Sequence, residues 1–325
     1  MCIGSHYAVR TKALREVGGL GPELAEDHST SMIMNTGGWR GVHALDAIAY
    51  GDGPGSFPDM ITQEFQWSRS LMSLLLRYTP RYLAGLPPHL KFQFVFSQCW
   101  YPIFALFMAL TFTLPIIALV FDVRWADVTY PAFLGHTIPA TAILILIVRM
   151  FRSDGLMRPY DAKVVGWEKV FFPVSQWPWV LWGCLVAVFD RITGRFVDFR
   201  ITPKGDAVST VMPARVLMPS FVLAIASLLP VLLISDITET AGFYVLALVN
   251  AFLYSTLFWI IIVNHWREQG TGLRQAPISG MLQIAVALVL VVLIAQAIWH
   301  RSAQGVYAIT VGLGPVQVVD TRYVV

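Results

Sequence analysis

Charge is what this 325-residue sequence has least of. Asp, Glu, Lys and Arg make up 13% of it, against roughly 25% in an ordinary soluble domain. With 56% hydrophobic residues and a mean hydropathy of +0.62, too little polar surface remains to cover a water-soluble fold of this size. The formal net charge is only +3. No basic stripe interleaved with aromatics runs along the chain, so a nucleic-acid partner is not expected. Cysteine is scarce too: Cys2, Cys99 and Cys184 have no pair spacing, which excludes a disulfide framework and a zinc site and leaves ordinary buried thiols. No basic stretch leading into an apolar run opens the chain, so the first spanning helix is expected to do the targeting. Internal repeats and low-complexity tracts are absent as well.

What the sequence has in quantity is long apolar runs, all of them after Lys91. A hydrocarbon core about 30 Å thick takes about 20 residues of helix. Val95 to Phe121, Pro131 to Met150, Val216 to Ile234, Ala241 to Val263 and Met281 to Trp299 meet that length. A further run, Val170 to Phe189, is interrupted by Pro173, Gln176, Pro178 and Gly183. Its flanks are both basic, with Arg149, Arg152, Arg158, Lys163 and Lys169 before it and Arg191, Arg195, Arg200, Lys204 and Arg215 after it. Positive charge marks the cytosolic side, so this run is expected to lie in the interface, where Trp177, Trp179 and Trp182 suit the headgroup level. A sixth crossing is the alternative. Five crossings leave residues 1–90 cytosolic and 300–325 outside. The acidic link Ser235 to Thr240 then lies outside and the link with Arg267 and Arg274 inside; Arg301 and Arg322 run against that polarity. The spans hold few ionisable groups near their middles, which disfavours a transporter.

The first ninety residues read as short mixed α/β structure. Thr11 is expected to cap a helix through Glu16 ended by Gly18-Gly19, and Asp27 a second one to Asn35 ended by Gly37-Gly38. Val42 to Tyr50 is strand-like. A further helix begins near Pro58, a favoured early helical position, and runs through Trp67. So few strands make a thin core for an independent domain.

Three constellations carry chemistry. Glu26-Asp27 at a helix start either caps the helix and complements its dipole or takes a proton from an acceptor hydroxyl at a cleft edge. Gln63, Gln66, Trp67 and Ser70 share one helix face, an amide-and-indole surface suited to sugar hydroxyls and a sugar's C–H face, or simply a Trp packed toward the membrane. Phe199 to Lys204 (FRITPK) is a basic juxtamembrane segment that anionic lipid can also attract.

Taken in order, these segments make a pattern. Cys2-Ile3-Gly4-Ser5 is followed by RTKALREVGG at Arg10 to Gly19, Glu26-Asp27, Gly-Gly-Trp-Arg at Gly37 to Arg40, QEFQW at Gln63 to Trp67, apolar helices, and FRITPK. The pattern resembles the family 2 membrane glycosyltransferases, the group of bacterial cellulose synthase and the hyaluronan and chitin synthases, from Cys2 to about Lys204. The resemblance implies an α-helical membrane bundle of about five spans plus one interfacial helix, preceded by a partial cytosolic α/β GT-A-like segment. Residues 1–90 become the C-terminal part of a cytosolic glycosyltransferase domain and 91–299 a transmembrane channel region. The interfacial helix lies at 170–189, a gating-like loop at 196–206, and an extracytoplasmic tail at 300–325.

By the same resemblance Asp27 is the catalytic base with Glu26 beside it. Trp67, Gln63, Gln66 and Ser5 bind the acceptor, and Phe199, Thr202 and Lys204 gate the donor, with Ile201 where the family motif has Val. Gln66 replaces the family's Arg in Gln-x-x-Arg-Trp, and Arg69 is the candidate diphosphate contact in its place. The implied reaction is inverting hexosyl transfer from a nucleotide-sugar donor, UDP-linked, to a growing glycan acceptor, with translocation across the inner membrane. A partner subunit is a further implied partner. A divalent metal, Mg²⁺ or Mn²⁺, is implied too, but nothing before Glu26 resembles the nucleotide-binding half with its Asp-x-Asp ligands, and no metal ligand is assigned. The chain is therefore expected to be the acceptor-side half of such an enzyme and inactive alone. The alternative is a truncated non-catalytic relative that binds glycan or a partner synthase.

Overall fold

The computed structural model of the protein describes residues 6–44, 47–48, 51, 53–123, 130–194, 212–235, 237, 240–268 and 278–310. Among them all regular structure is helical. The strand expected over Val42 to Tyr50 is absent from its described part: residues 41–44 and 47–48 have no regular structure, and Val42 is 89% exposed. A lone extended segment with no neighbouring strand leaves its backbone groups to water, and no α/β layer forms among the described residues.

Helix α1 (Thr11–Glu16) starts after an extended Arg10, so Thr11 is its first residue and not its cap. Gly18 and Gly19 end it at φ +87° and +114°, a left-handed conformation that glycine adopts without a Cβ clash. Helix α2 (Glu26–Thr36) begins one residue before its expected cap Asp27: Ala25 is at the cap position, and Glu26 and Asp27 both lie in its first turn. Helix α3 (Phe57–Ser73) is capped by Ser56, whose hydroxyl accepts from the Asp59 N–H and donates to the Asp59 carboxylate at 2.6 Å. A π-helical turn, Leu74–Tyr78, follows and leads into α4 (Thr79–Tyr82). Pro80 lacks the N–H that would reach the Leu76 carbonyl, which disfavours regular α-helix here.

Among the described residues six helices are long and apolar enough to cross a membrane, the pattern of a multi-pass membrane protein. They are α5 (Pro88–Phe121), α6 (Tyr130–Ser153), α7 (Glu168–Thr193), α8 (Ala214–Leu233), α9 (Phe243–Glu268) and α10 (Ile278–Thr310). The interrupted run is thus one continuous helix, α7, and the region expected as a tail from His300 begins as helix.

The chain forms two compact units, dividing α5 after Ala109 and α7 after Ser175. In the first, α1 to α4 pack with the N-terminal part of α5 and most of α7. Met32, Leu86 and Phe94 form one buried cluster, covered by Tyr82, Leu83 and Leu90, each such side chain contributing about 1.5–3 kcal/mol on removal from water. Ala105, Val180 and Cys184 form a second, with Met72, Tyr101, Phe104 and Leu181 against it. Helix α7 approaches α3 at Gly183, where an added Cβ would stand 2.5 Å from the Phe65 carbonyl oxygen. The opposite side of α7 exposes Trp182, Leu185 and Phe189.

In the second unit α9 packs between α8 and α10, burying Tyr244, Tyr254 and Ile262 almost completely. Two of its polar groups are bonded: the Asn250 amide donates to the Phe112 carbonyl at 3.2 Å, and the Tyr244 hydroxyl to that of Ile234 at 2.8 Å. Arg301 donates to the Val231 and Ile234 carbonyls at the C-terminal end of α8, which gives this basic residue a structural role independent of membrane polarity. Helix α6 leaves its whole apolar window uncovered.

Candidate active site

The acidic pair and the amide-indole face come from different helices and meet through backbone and serine. Gln63, Gln66, Trp67 and Ser70 recur along one side of α3. Ser70 is buried and its hydroxyl accepts from the Ala25 N–H at 2.9 Å. Ala25 immediately precedes Glu26, so this bond ties the start of the acid-bearing helix one turn from Gln66 and Trp67. Gln63 and Gln66 are half-buried, while Trp67 is 42% exposed, leaving part of its ring open to a flat partner.

Asp27 is half-buried and its carboxylate accepts from the His28 N–H at 2.7 Å. A negative charge in the first turn sits where the helix dipole favours it. The loop before it is held from the other side: the Gly21 N–H donates to the Thr30 hydroxyl at 2.8 Å, and the Ser29 hydroxyl to the Pro22 carbonyl at 2.8 Å. Glu23 adopts φ +71°, uncommon for a residue with a side chain.

Arg69 is already engaged. Its Nε and Nη2 donate to Asp190 Oδ2 at 2.9 and 2.5 Å, and the two side chains are 18% and 7% exposed. Arg77, carried on the π-helical turn, donates to the Asp190 carbonyl at 2.9 Å near the end of α7. Burial pushes the Glu23 carboxyl above its ordinary value, opposed by Arg77 and Arg69 and aided by Asp190. Loop, α3 and α7 thus share one half-dry cluster of charge. On α3 beside Gln63, burial also raises Glu64.

The third group was not singled out from sequence. Gln98 of α5 is fully buried, yet both ends of its amide are bonded: Oε1 accepts from the Thr79 hydroxyl at 2.7 Å and Nε2 faces His28 Nε2 at 3.0 Å. The amide can donate to the His28 ring or, turned over, accept from it, because the Thr79 hydroxyl serves either end of the amide. Burial lowers the His28 pKa, against the pull of Asp27. A glutamine inside an apolar run was the available signal.

Ser5, Phe199, Thr202 and Lys204 lie outside the described residues. Among the described residues no group of three or more His, Cys, Asp or Glu is placed to hold a metal ion, so these residues do not fit the implied divalent cation.

Residues 1–149 match the family model described as glycosyl transferase family group 2. That segment, a family 2 glycosyltransferase-like domain, contains the acidic pair, the α3 face, Arg69, His28 and Gln98. Neither a curated protein nor a solved structure matches the chain.

Proposed function

We propose that this chain supplies the acceptor side of an inverting hexosyl transfer from a nucleotide-sugar, UDP-linked, to a growing glycan. One observation supports it above the others: the Ala25–Ser70 hydrogen bond links the start of the acid-bearing helix to the helix with the Gln-Trp face. In this reading Asp27 accepts the proton of an acceptor hydroxyl. The hydroxyl oxygen forms a bond to the anomeric carbon as that carbon's bond to the diphosphate breaks, and the nucleoside diphosphate leaves. Trp67 stacks on the acceptor sugar, Gln63 and Gln66 take its hydroxyls, and Ser5 joins them. Glu26 supports Asp27. Phe199, Thr202 and Lys204 close over the donor, as lids that exclude water do. The described residues do not provide for the metal, and no step is routed through one.

The same reading makes the protein a processive synthase in the inner membrane. Residues 1–90 are cytosolic, α7 lies in the interface, the product threads outward among the remaining spans, and a partner subunit completes the assembly. The test is Asp27→Asn in the full-length protein, which retains shape and removes the base. Transfer should fall by about 10²–10⁴ while membrane accumulation is unchanged. Wild-type turnover in that variant returns Asp27 to a helix-dipole role and ends the proposal.

A further inference from the structure

We propose that His28 is a positioning residue that sets the rotation of α2, and with it the direction of Asp27, through its buried bond to Gln98. The inference rests on the reading of Asp27 as base.

Helix α2 has no side-chain cap at Ala25, so the usual hydroxyl or carboxylate anchor of a first turn is missing. Its first turn is instead pinned by a side chain pointing inward. The His28 ring meets the edge of Phe94 at 5.2 Å and 83° and bonds Gln98 at 3.0 Å. Gln98, Thr79 and Phe94 are all at most 1% exposed. Successive residues of an α-helix are rotated by about 100°. With His28 committed to the interior, Asp27 is turned toward the half-open side. Thr79 occupies one end of the Gln98 amide, which leaves the other end for His28. Pro80 and the π-helical turn place Thr79 where this is possible. An apolar side chain at position 28 would fill space yet strand one end of a buried amide, and the first turn of α2 would keep only its Ala25–Ser70 and Ser29–Pro22 ties.

The experiment uses the full-length protein in lipid nanodiscs and compares His28→Leu, His28→Gln and Gln98→Leu. Hydrogen exchange of amides 26–30 should quicken at least about tenfold in His28→Leu and Gln98→Leu, with α9 unchanged. His28→Gln, whose terminal carbonyl reaches the Nε2 position, should restore wild-type exchange. With UDP-glucose and UDP-N-acetylglucosamine as donors, kcat should fall on the order of 10–100-fold in both leucine variants at unchanged donor KM. The double variant should be no worse than either single one.

Unchanged exchange at 26–30 overturns the proposal whatever the donor result. So does wild-type turnover in His28→Leu when Asp27→Asn is inactive, and then the base reading stands. An active Asp27→Asn removes the base reading instead, while exchange still reports on the pin. Should His28→Leu not accumulate, Gln98→Leu, remote from the carboxylate, decides.

Discussion

Asp190→Asn is the substitution with the clearest expected cost. It preserves side-chain volume and leaves the backbone carbonyl that Arg77 uses, but removes the charge that accepts both Arg69 bonds. Deleting one partner of a buried ion pair costs about 3–5 kcal/mol, since the surviving charge is left dry and uncompensated. Arg69 retains 18% exposure and Glu23 is close enough to interact with it, so a loss near 3 kcal/mol is expected. Reversible unfolding in mixed detergent micelles measures it. Arg69→Met with Asp190→Leu replaces both partners by apolar groups and should come within about 1 kcal/mol of wild type or exceed it. A single variant that loses under about 0.5 kcal/mol would mean the pair is as wet as an ordinary surface pair, and the reasoning would be wrong. The double variant has a second use. If Arg69 also contacts the donor diphosphate, the protein should remain folded but show a raised donor KM; an unchanged KM confines Arg69 to the clamp.

Gly183→Val should lower stability by about 1–3 kcal/mol, as overpacking does, because its Cβ meets the Phe65 carbonyl; an unperturbed unfolding midpoint would show that α3 and α7 are further apart. Trp67→Ala should shorten products and weaken acceptor engagement with folding unchanged, and loss of the protein from the membrane would mark Trp67 as structural. For pH, burial lowers the His28 pKa from its ordinary value near 6.5, so its favourable contribution is present above that value and is lost as pH falls toward the depressed one. Glu23 and Glu64 are raised and act in the opposite sense, so the comparison is with His28→Gln: between about pH 7 and 5.5 wild type should lose more thermal stability than the variant, and parallel losses would remove His28 as the cause. Cysteine labelling should find positions 163 and 204 on one side of the membrane and 238 on the other; opposite sides for the first two make α7 a full crossing.

Where local chemistry decides structure, the sequence was informative. Ser56-Phe57-Pro58-Asp59 contains a cap and an early proline, and α3 begins there; Gly18-Gly19 ends α1 as expected. The apolar runs became helices, but several extend past their apolar limits. Helix α5 starts at Pro88 because Leu90 and Phe94 pack on Met32 and Leu86, a tertiary reason no hydropathy window carries. Asp27 looked like a cap because an acid before an apolar stretch usually is one; the helix instead starts at Glu26, with Ala25 at the cap position and tied to Ser70. The His28–Gln98 and Arg69–Asp190 bonds join residues 70 and 121 apart. Either partner alone is an ordinary polar residue, and only packing makes the pair.

The backbone at Glu23 has a consequence for the order of assembly. A glutamate at φ +71° costs of order 1–3 kcal/mol relative to a relaxed conformation, and the nascent chain has only the Gly21–Thr30 and Ser29–Pro22 bonds nearby to oppose it. The remaining support comes from Ser70, Arg69 and Arg77, the first of them synthesised forty-five residues after Ala25. The loop that delivers Glu26 and Asp27 should therefore remain fluid after translation and take its final shape only when α3 arrives. A ribosome-stalled chain ending before Ser70 should leave residues 21–28 open to protease, and one extended beyond Asp190 should protect them.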